Sequence, residues 1–332
     1  MEGDEPADSE PPSRDENPVR KRVKITLLTI GAIVALPALL LTTTSIVNAV
    51  ATPSDLAAIT PYGEKVPVDG KKLNVVDTGT GQETIVLLPG LGTAAPALDF
   101  QPLISELDKK YRVIAVEPFG TGLSDQTSSP RTAKNIAREV HEALRYLGVD
   151  RYVLMGHSIA GIYALEYSSL YADELIAFVG IDSSVPGQPG WDEPAPTDGL
   201  AALRDLGILR VLAAVSGDPY AGMPYDEHTK EQMRLLTTKN STEPTLLDEM
   251  NRTAANFASV RIMTFPASLP VLLFVRRDDQ DVPGWLALHE KQAATVERGK
   301  VIVLEGEHYL HHTRSAEIGT DTTAFLESLP IR

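Results

Sequence analysis

From about residue 65 the chain alternates between two hydrophobic periods. Lys71–Gly79 alternates apolar and polar side chains, and Thr84–Leu88 is apolar throughout. Tyr111–Val116, Arg151–Gly156, Leu175–Ile181, Pro270–Val275 and Lys300–Leu304 read as further short strands. Between them lie stretches with helical spacing: 98–109, 132–147 (Ile136, Val140, Leu144, Leu147), a segment ending near Tyr171, 284–297 and 315–328. Strands that alternate with helices predict an α/β fold with a mostly parallel sheet flanked by helices, whose active residues stand at the carboxyl ends of strands. The alternation breaks after Ile181. A Pro- and Gly-rich run (186–199) is followed by helical patterns over 200–215 and 225–260, with no strand until Pro270. This predicts a helical lid over about 186–266, inserted after the sixth strand.

The amino-terminal residues follow another pattern. Residues 1–24 are acidic and Pro-rich and end in the basic cluster Arg20-Lys21-Arg22-Val23-Lys24. Ile25 to Val50 then contains no charged residue, a run long enough to cross a bilayer. Basic residues before it predict a cytoplasmic amino terminus and an extracytoplasmic remainder. The expected organisation is a disordered cytoplasmic tail (1–24), a transmembrane signal anchor (25–50), a linker (51–64) and a catalytic domain (65–332). Ala49-Val50-Ala51 resembles a signal-peptidase site, so secretion after cleavage near Ala51 is the alternative.

Composition removes several functions. Net charge is −15, and without residues 1–24 the chain still carries −13 (38 acids against 25 bases), which argues against a nucleic-acid surface. Cysteine is absent, which rules out disulfides, metal–thiolate sites and catalytic thiols. The seven histidines form no metal-ligand spacing, so a metal site is not expected.

The candidate chemistry centres on Gly156-His157-Ser158-Ile159-Ala160. It fits the strand–turn–helix serine motif G-x-S-x-G except for its final residue, although an ordinary strand-to-helix turn can carry the same five residues. A serine hydroxyl needs a base, and the base needs an acid to fix its tautomer. His308, just after the last strand, is the expected base. His311 and His312 are expected at the surface or beside the site, and His289 solvated on a helix. The acid is expected after the strand ending at Val275, where Asp279 is the first choice, with Asp278 and Asp281 behind it; Asp182 is a further candidate. The amides of Ile159, at a helix start, and of Leu91, in the Pro89-Gly90-Leu91-Gly92 turn, are the expected oxyanion donors.

These motifs, with Gly120-Thr-Gly122-Leu-Ser-Asp125, occur in an order that resembles the α/β-hydrolase superfamily over about residues 65–330. Among its members the chain looks most like membrane-anchored bacterial serine hydrolases with a helical lid. Three positions depart from the family pattern: Pro89 for the common His, Ala160 for Gly, and Arg276 for the usual Gly before the acid. The resemblance implies cofactor-free hydrolysis of a small carboxylic ester or amide through an acyl-enzyme. A serine aminopeptidase, a C–C hydrolase, a cofactor-free peroxidase and a hydrolase-like ligand receptor are the alternatives. On the lid, Trp191, Met223, Met233, Phe257 and Met263 are candidates for an apolar acyl pocket or for plain packing.

Overall fold

The computed structural model describes residues 18–277 and 282–330. Helix α1 (Pro18–Ala57) carries the charge-free run and continues into the segment expected to be a linker. The strands β1 (Glu64–Val68) and β2 (Lys71–Thr78) form a hairpin, and β3 (Thr84–Leu88) leads through the short helices α2 (Pro96–Asp99) and α3 (Gln101–Leu107) to β4 (Arg112–Glu117). The pattern then alternates strictly: α4 (Ala133–Tyr146), β5 (Tyr152–His157), α5 (Ala160–Leu170) and β6 (Leu175–Ile181). After β6 come α6 (Leu200–Asp205), α7 (Ile208–Val215), α8 (Glu227–Asn240) and α9 (Pro244–Val260), then β7 (Val271–Arg276), α10 (Trp285–Ala293), β8 (Gly299–Leu304), α11 (Leu310–Thr313) and α12 (Ser315–Glu327).

Among the described residues the eight strands form one sheet in the order β1-β2-β4-β3-β5-β6-β7-β8. The β1–β2 and β2–β4 pairs are antiparallel and the rest parallel. Because side chains alternate along a strand, β3 divides its residues between two cores. Val86 and Leu88 join α4, α5 and Trp285 of α10, whereas Ile85 and Leu87 join α3 and α12. Both sheet faces are therefore covered, as the continuous apolar strands require.

The helical segment expected between β6 and β7 is present, but broken more often than its periodicity suggested. Gly207, at φ +72°, separates α6 from α7. Residues 241–243 separate α8 from α9, with Pro244 starting the next helix. The two halves of this insert attach to different neighbours. Helix α9 is bound to the sheet domain: Asp248 Oδ2 accepts from the Arg131 amide (2.7 Å), Asn256 Oδ1 from the Ala133 amide (2.9 Å), and Glu249 from the Tyr163 hydroxyl (2.7 Å). Helices α6 and α7 contribute no buried residue and rest instead on α1.

Candidate active site

Parallel register brings the carboxyl ends of β5, β6 and β7 side by side, with His157 opposite Ile181 and Ile181 opposite Phe274. Ser158 follows β5 with φ at +54°, a left-handed conformation that a non-glycine residue adopts only under constraint. Its amide donates to the Ile181 carbonyl (3.2 Å), and its own carbonyl accepts from the Ser184 amide (2.8 Å). Two flanking segments thus hold the turn and lift the hydroxyl above the sheet edge. Ala160, where the motif has Gly, is fully buried.

His308 stands after β8 with both ring nitrogens engaged. Nε2 lies 2.9 Å from Ser158 Oγ and Nδ1 lies 2.6 Å from Asp182 Oδ2. Asp182 is the first residue after β6 and also has a positive φ (+41°). Its carboxylate has no solvent exposure. Oδ1 accepts from the Arg276 amide (3.0 Å) and from Trp285 Nε1 (2.7 Å), and the Arg276 guanidinium approaches Oδ2 at 3.4 Å.

The carboxylate in contact with His308 is therefore that of Asp182, the acid ranked last on sequence. Asp279, with Asp278 and Asp281, lies outside the described residues. What sets Asp182 apart is contact: it is the first residue after β6, its carboxylate is buried, and its Oδ2 lies 2.6 Å from His308 Nδ1. A signal was available: Asp182 closes an apolar strand immediately before the insert.

Ile159 and Leu91, the expected amide donors, both turn their side chains into the core. Ile159 is the N-cap of α5, next to Ser158. Gly90 brings the other turn against the serine: a Cβ at position 90 would stand 3.0 Å from Ser158 Cβ and 2.8 Å from His157 Nδ1. His157, beneath the site, directs Nε2 to the His308 carbonyl (3.2 Å), and burial holds its pKa well below the ordinary value.

The Gly120–Asp125 motif does not enter the site. It closes around the buried Glu117, which accepts from the Leu123 amide (2.8 Å), Asn74 Nδ2 (3.0 Å) and the Tyr62 hydroxyl (2.7 Å). Burial raises the Glu117 pKa despite these donors.

Of three further histidines, His289 differs from expectation, whereas His311 and His312 take the second of their two expected places, beside the site, with the His311 ring 4.8 Å from that of His157. His289 is buried, with its ring nitrogens 2.8 Å from the Trp285 and Ser183 carbonyls. His311 and His312 are buried as well, and both direct Nε2 to Asp99, at 2.7 and 2.8 Å. Burial alone would push the Asp99 carboxyl up, but the two imidazoles together hold it well below the usual carboxylate range. Burial lowers His311, which leaves it neutral and donating through Nε2–H. Among the described residues these three side chains could hold a metal ion, their ligand atoms lying within 4.8 Å of one another, at the cost of both N–H protons.

A cavity of about 320 Å³ opens onto this group, with Asp99 and His312 in its wall beside Gly92, Tyr220, Met223, Met233 and Tyr309. It adjoins the Leu91 turn and the His308 loop and includes two of the expected pocket methionines. Phe257 is packed in the core, and Trp191 and Met263 lie against it.

Comparison with known proteins agrees with this architecture. A model of the alpha/beta hydrolase family matches residues 85–318. The uncharacterized protein YbdG of Bacillus subtilis is 26% identical over 271 residues, covering 77% of this chain and 83% of that protein. A 2-hydroxy-6-oxononadienedioate/2-hydroxy-6-oxononatrienedioate hydrolase of Paraburkholderia phymatum is 32% identical over 133 residues, covering 39% of this chain and 46% of its own length. The structure of a thermophilic esterase from Thermogutta terrifontis superimposes with a TM-score of 0.58 at 20% identity, over 80% of this chain and 98% of that one.

Proposed function

Because the chain belongs to the α/β-hydrolase superfamily and is a hydrolase, we propose that it is a serine hydrolase acting on a small carboxylic ester or amide. The observation that carries this reading is the continuous line from Asp182 through His308 to Ser158, with hydrogen bonds of 2.6 and 2.9 Å. In it Asp182, not Asp279, is the orienting acid.

Ser158 Oγ attacks the carbonyl carbon as His308 Nε2 takes its proton. Asp182 holds Nδ1–H in place and stabilises the imidazolium. The Leu91 and Ile159 amides bind the developing oxyanion. Collapse of the tetrahedral adduct expels the alcohol or amine, which leaves with the proton from His308. Water, deprotonated by the same ring, then releases the acid and restores Ser158. The insert serves as the lid, and the cavity lined by Met223, Met233 and Tyr309 takes the apolar part of the substrate.

The proposal also places α1 across a membrane, amino terminus inside and the hydrolase domain outside. It is supported by a helix long and apolar enough to span and by the basic cluster before it.

Labelling by a fluorophosphonate and turnover of p-nitrophenyl esters test the chemistry. Ser158→Ala should abolish labelling and lower kcat by roughly 10³-fold or more. Turnover by that variant at the wild-type rate would sink the proposal. Labelling of Ser158 without turnover of any ester or amide would instead favour a C–C hydrolase or a ligand receptor.

A further inference from the structure

The structure points to a second membrane contact: we propose that the α6–α7 corner of the insert lies in the outer interface of the bilayer that α1 spans, and so presents the site to bilayer-dissolved amphiphilic substrates. The inference rests on the membrane-anchor reading above and deepens it.

The first observation is how the corner is built. The last carbonyls of α6 and that of Leu206 after it lie beyond the regular helical ladder, and only that of Arg204 takes a turn hydrogen bond, from the Gly207 amide (2.8 Å). Side chains of α1 cap them: Thr44 Oγ1 donates to the Leu206 carbonyl (2.7 Å), Ser45 Oγ to that of Asp205 (3.1 Å) and Asn48 Nδ2 to that of Arg204 (3.1 Å). Arg210 of α7 reaches along α1 to Asn48 Oδ1 (3.1 Å), Thr52 Oγ1 (3.1 Å) and Asp55 Oδ2 (2.7 Å). Gly207 lies so close that a Cβ there would come within 2.4 Å of the Thr44 carbonyl oxygen. The corner is therefore fastened to the anchor helix at a fixed level.

That level is the membrane boundary. A hydrocarbon core of about 30 Å takes about 20 helical residues at ~1.5 Å each. Counted from Ile25, the first residue beyond the basic cluster, the core ends near Thr44. The Thr44–Leu206 hydrogen bond thus puts the start of α7 where hydrocarbon gives way to headgroups.

The third observation is the face that α7 leaves uncovered. Ile208, Val211, Leu212 and Val215 have the i, i+3, i+4, i+7 spacing of one helix face. Val211, Leu212 and Val215 are 43%, 51% and 75% exposed. The other face, with Leu209, Arg210 and Ala213, looks onto α1 across a cavity of about 760 Å³. A short amphipathic helix fixed at this height with its apolar face uncovered has the bilayer interface as its neighbour. The cavity behind it shares Thr237 of α8 with the smaller cavity beside Gly92 and Tyr309, which gives a bilayer-borne ligand a direction of approach to Ser158.

The chain has no cysteine, so single-cysteine variants can be spin-labelled without background. The full chain would be placed in phosphatidylcholine–phosphatidylglycerol vesicles with a label at Leu28→Cys in the anchor, Leu212→Cys in the corner, or Glu227→Cys at the exposed start of α8. Each label is then exposed to oxygen, which concentrates in lipid, and to a water-soluble nickel chelate. Oxygen-dominated relaxation at 28 and 212, with nickel-dominated relaxation at 227, is the expected result. Lipid exposure at 28 with water exposure at 212 overturns this inference and leaves the anchor standing; water exposure at both overturns both. In a second arm, Val211→Asp/Leu212→Asp/Val215→Asp should lower turnover of a vesicle-dissolved long-chain ester by roughly tenfold, while leaving that of soluble p-nitrophenyl acetate unchanged. Equal turnover of the vesicle ester by variant and wild type would overturn the proposal.

Discussion

Among the described residues two buried aspartates hold imidazoles, and one of them adjoins a serine hydroxyl through its imidazole. Asp182 and Asp99 are both removed from water, and both accept from a histidine N–H at hydrogen-bond distance. The difference lies at the second nitrogen. His308 spends Nδ1 on Asp182, keeps Nε2 for Ser158, and leaves 36% of its side chain exposed. His311 and His312 both spend Nε2 on the same carboxylate, and His311 has no exposed side-chain surface. An acid–histidine pair becomes a base only when the far nitrogen opens onto a cleft. Otherwise it is a clamp, here tying α2, where Asp99 sits, to α11.

The comparison is broken most strongly at Asp182. In the proposed mechanism Asp182→Asn keeps the shape but offers an N–H or a weaker acceptor to Nδ1, which favours the wrong tautomer of His308. Turnover of a p-nitrophenyl ester should fall by about 10³- to 10⁴-fold. Retention of more than a tenth of the wild-type kcat would return the acid role to the 278–281 segment.

Asp99→Asn should act on stability instead. An amide cannot accept from two N–H donors through two oxygens, so one imidazole must switch tautomer or lose its bond. In either case a buried polar group is left without a partner, at a cost of about 1–3 kcal/mol. Denaturant unfolding should show this loss, while kcat per folded molecule stays within about threefold, a difference of under ~1 kcal/mol in the barrier. A collapse of kcat with unchanged stability would contradict the clamp.

How each aspartate appeared in the sequence follows from what sequence patterns record. The strands, the insert, Ser158 and His308 were legible because each is written locally: an apolar run, a cluster of breakers, a small-residue turn, a histidine after the last strand. Asp182 is local in position, but its contact with His308 joins residues 126 positions apart, and three aspartates downstream outcompeted it. The Asp99 clamp was invisible. Its residues are more than 200 positions apart in sequence, and nothing in Leu98-Asp99-Phe100 or Leu310-His311-His312-Thr313 signals that they meet. The contact between α1 and the insert was missed for the same reason, since Thr44 and Gly207 carry no pattern that pairs them.

The clamp also predicts a pH dependence. Burial lowers the pKa of His311, so below the ordinary histidine value of about 6.5 the unfolded chain takes up a proton that the folded chain refuses. Stability therefore falls as pH drops through that value. Asp99, held low by its partners, adds a loss of the same sign below about pH 4, where the unfolded carboxyl protonates. The buried Glu117, Glu139 and Glu249, whose pKa values burial raises, work in the opposite sense, losing stability as pH rises from about 4.5 toward their folded values. A difference between variants removes that background. His311→Gln keeps an N–H donor toward Asp99 but does not titrate, so its Tm should fall less than that of the wild type between pH 7 and about 5.5. Parallel curves would mean that His311 takes up its proton equally in the folded and unfolded chain, and a wild-type Tm that falls less than the variant's would mean that His311 is already protonated in the fold.

The smallest change sharpens the catalytic side of the comparison. Asp99 is held by two imidazoles, whereas Asp182 meets one imidazole and has Trp285 Nε1 (2.7 Å) and the Arg276 amide (3.0 Å) on its other oxygen. Those two donors fix the carboxylate plane that aims Oδ2 at His308. Trp285→Phe removes one of them and keeps most of the packing of a residue only 6% exposed. One hydrogen bond to a charged acceptor is worth about 1.5–3 kcal/mol, but only the part lost between ground and transition state reaches the rate. Turnover should therefore drop by about three- to tenfold, with KM unchanged, because the indole lies behind the carboxylate and away from the substrate. A change confined to KM would place Trp285 against the substrate and remove it from the support of Asp182.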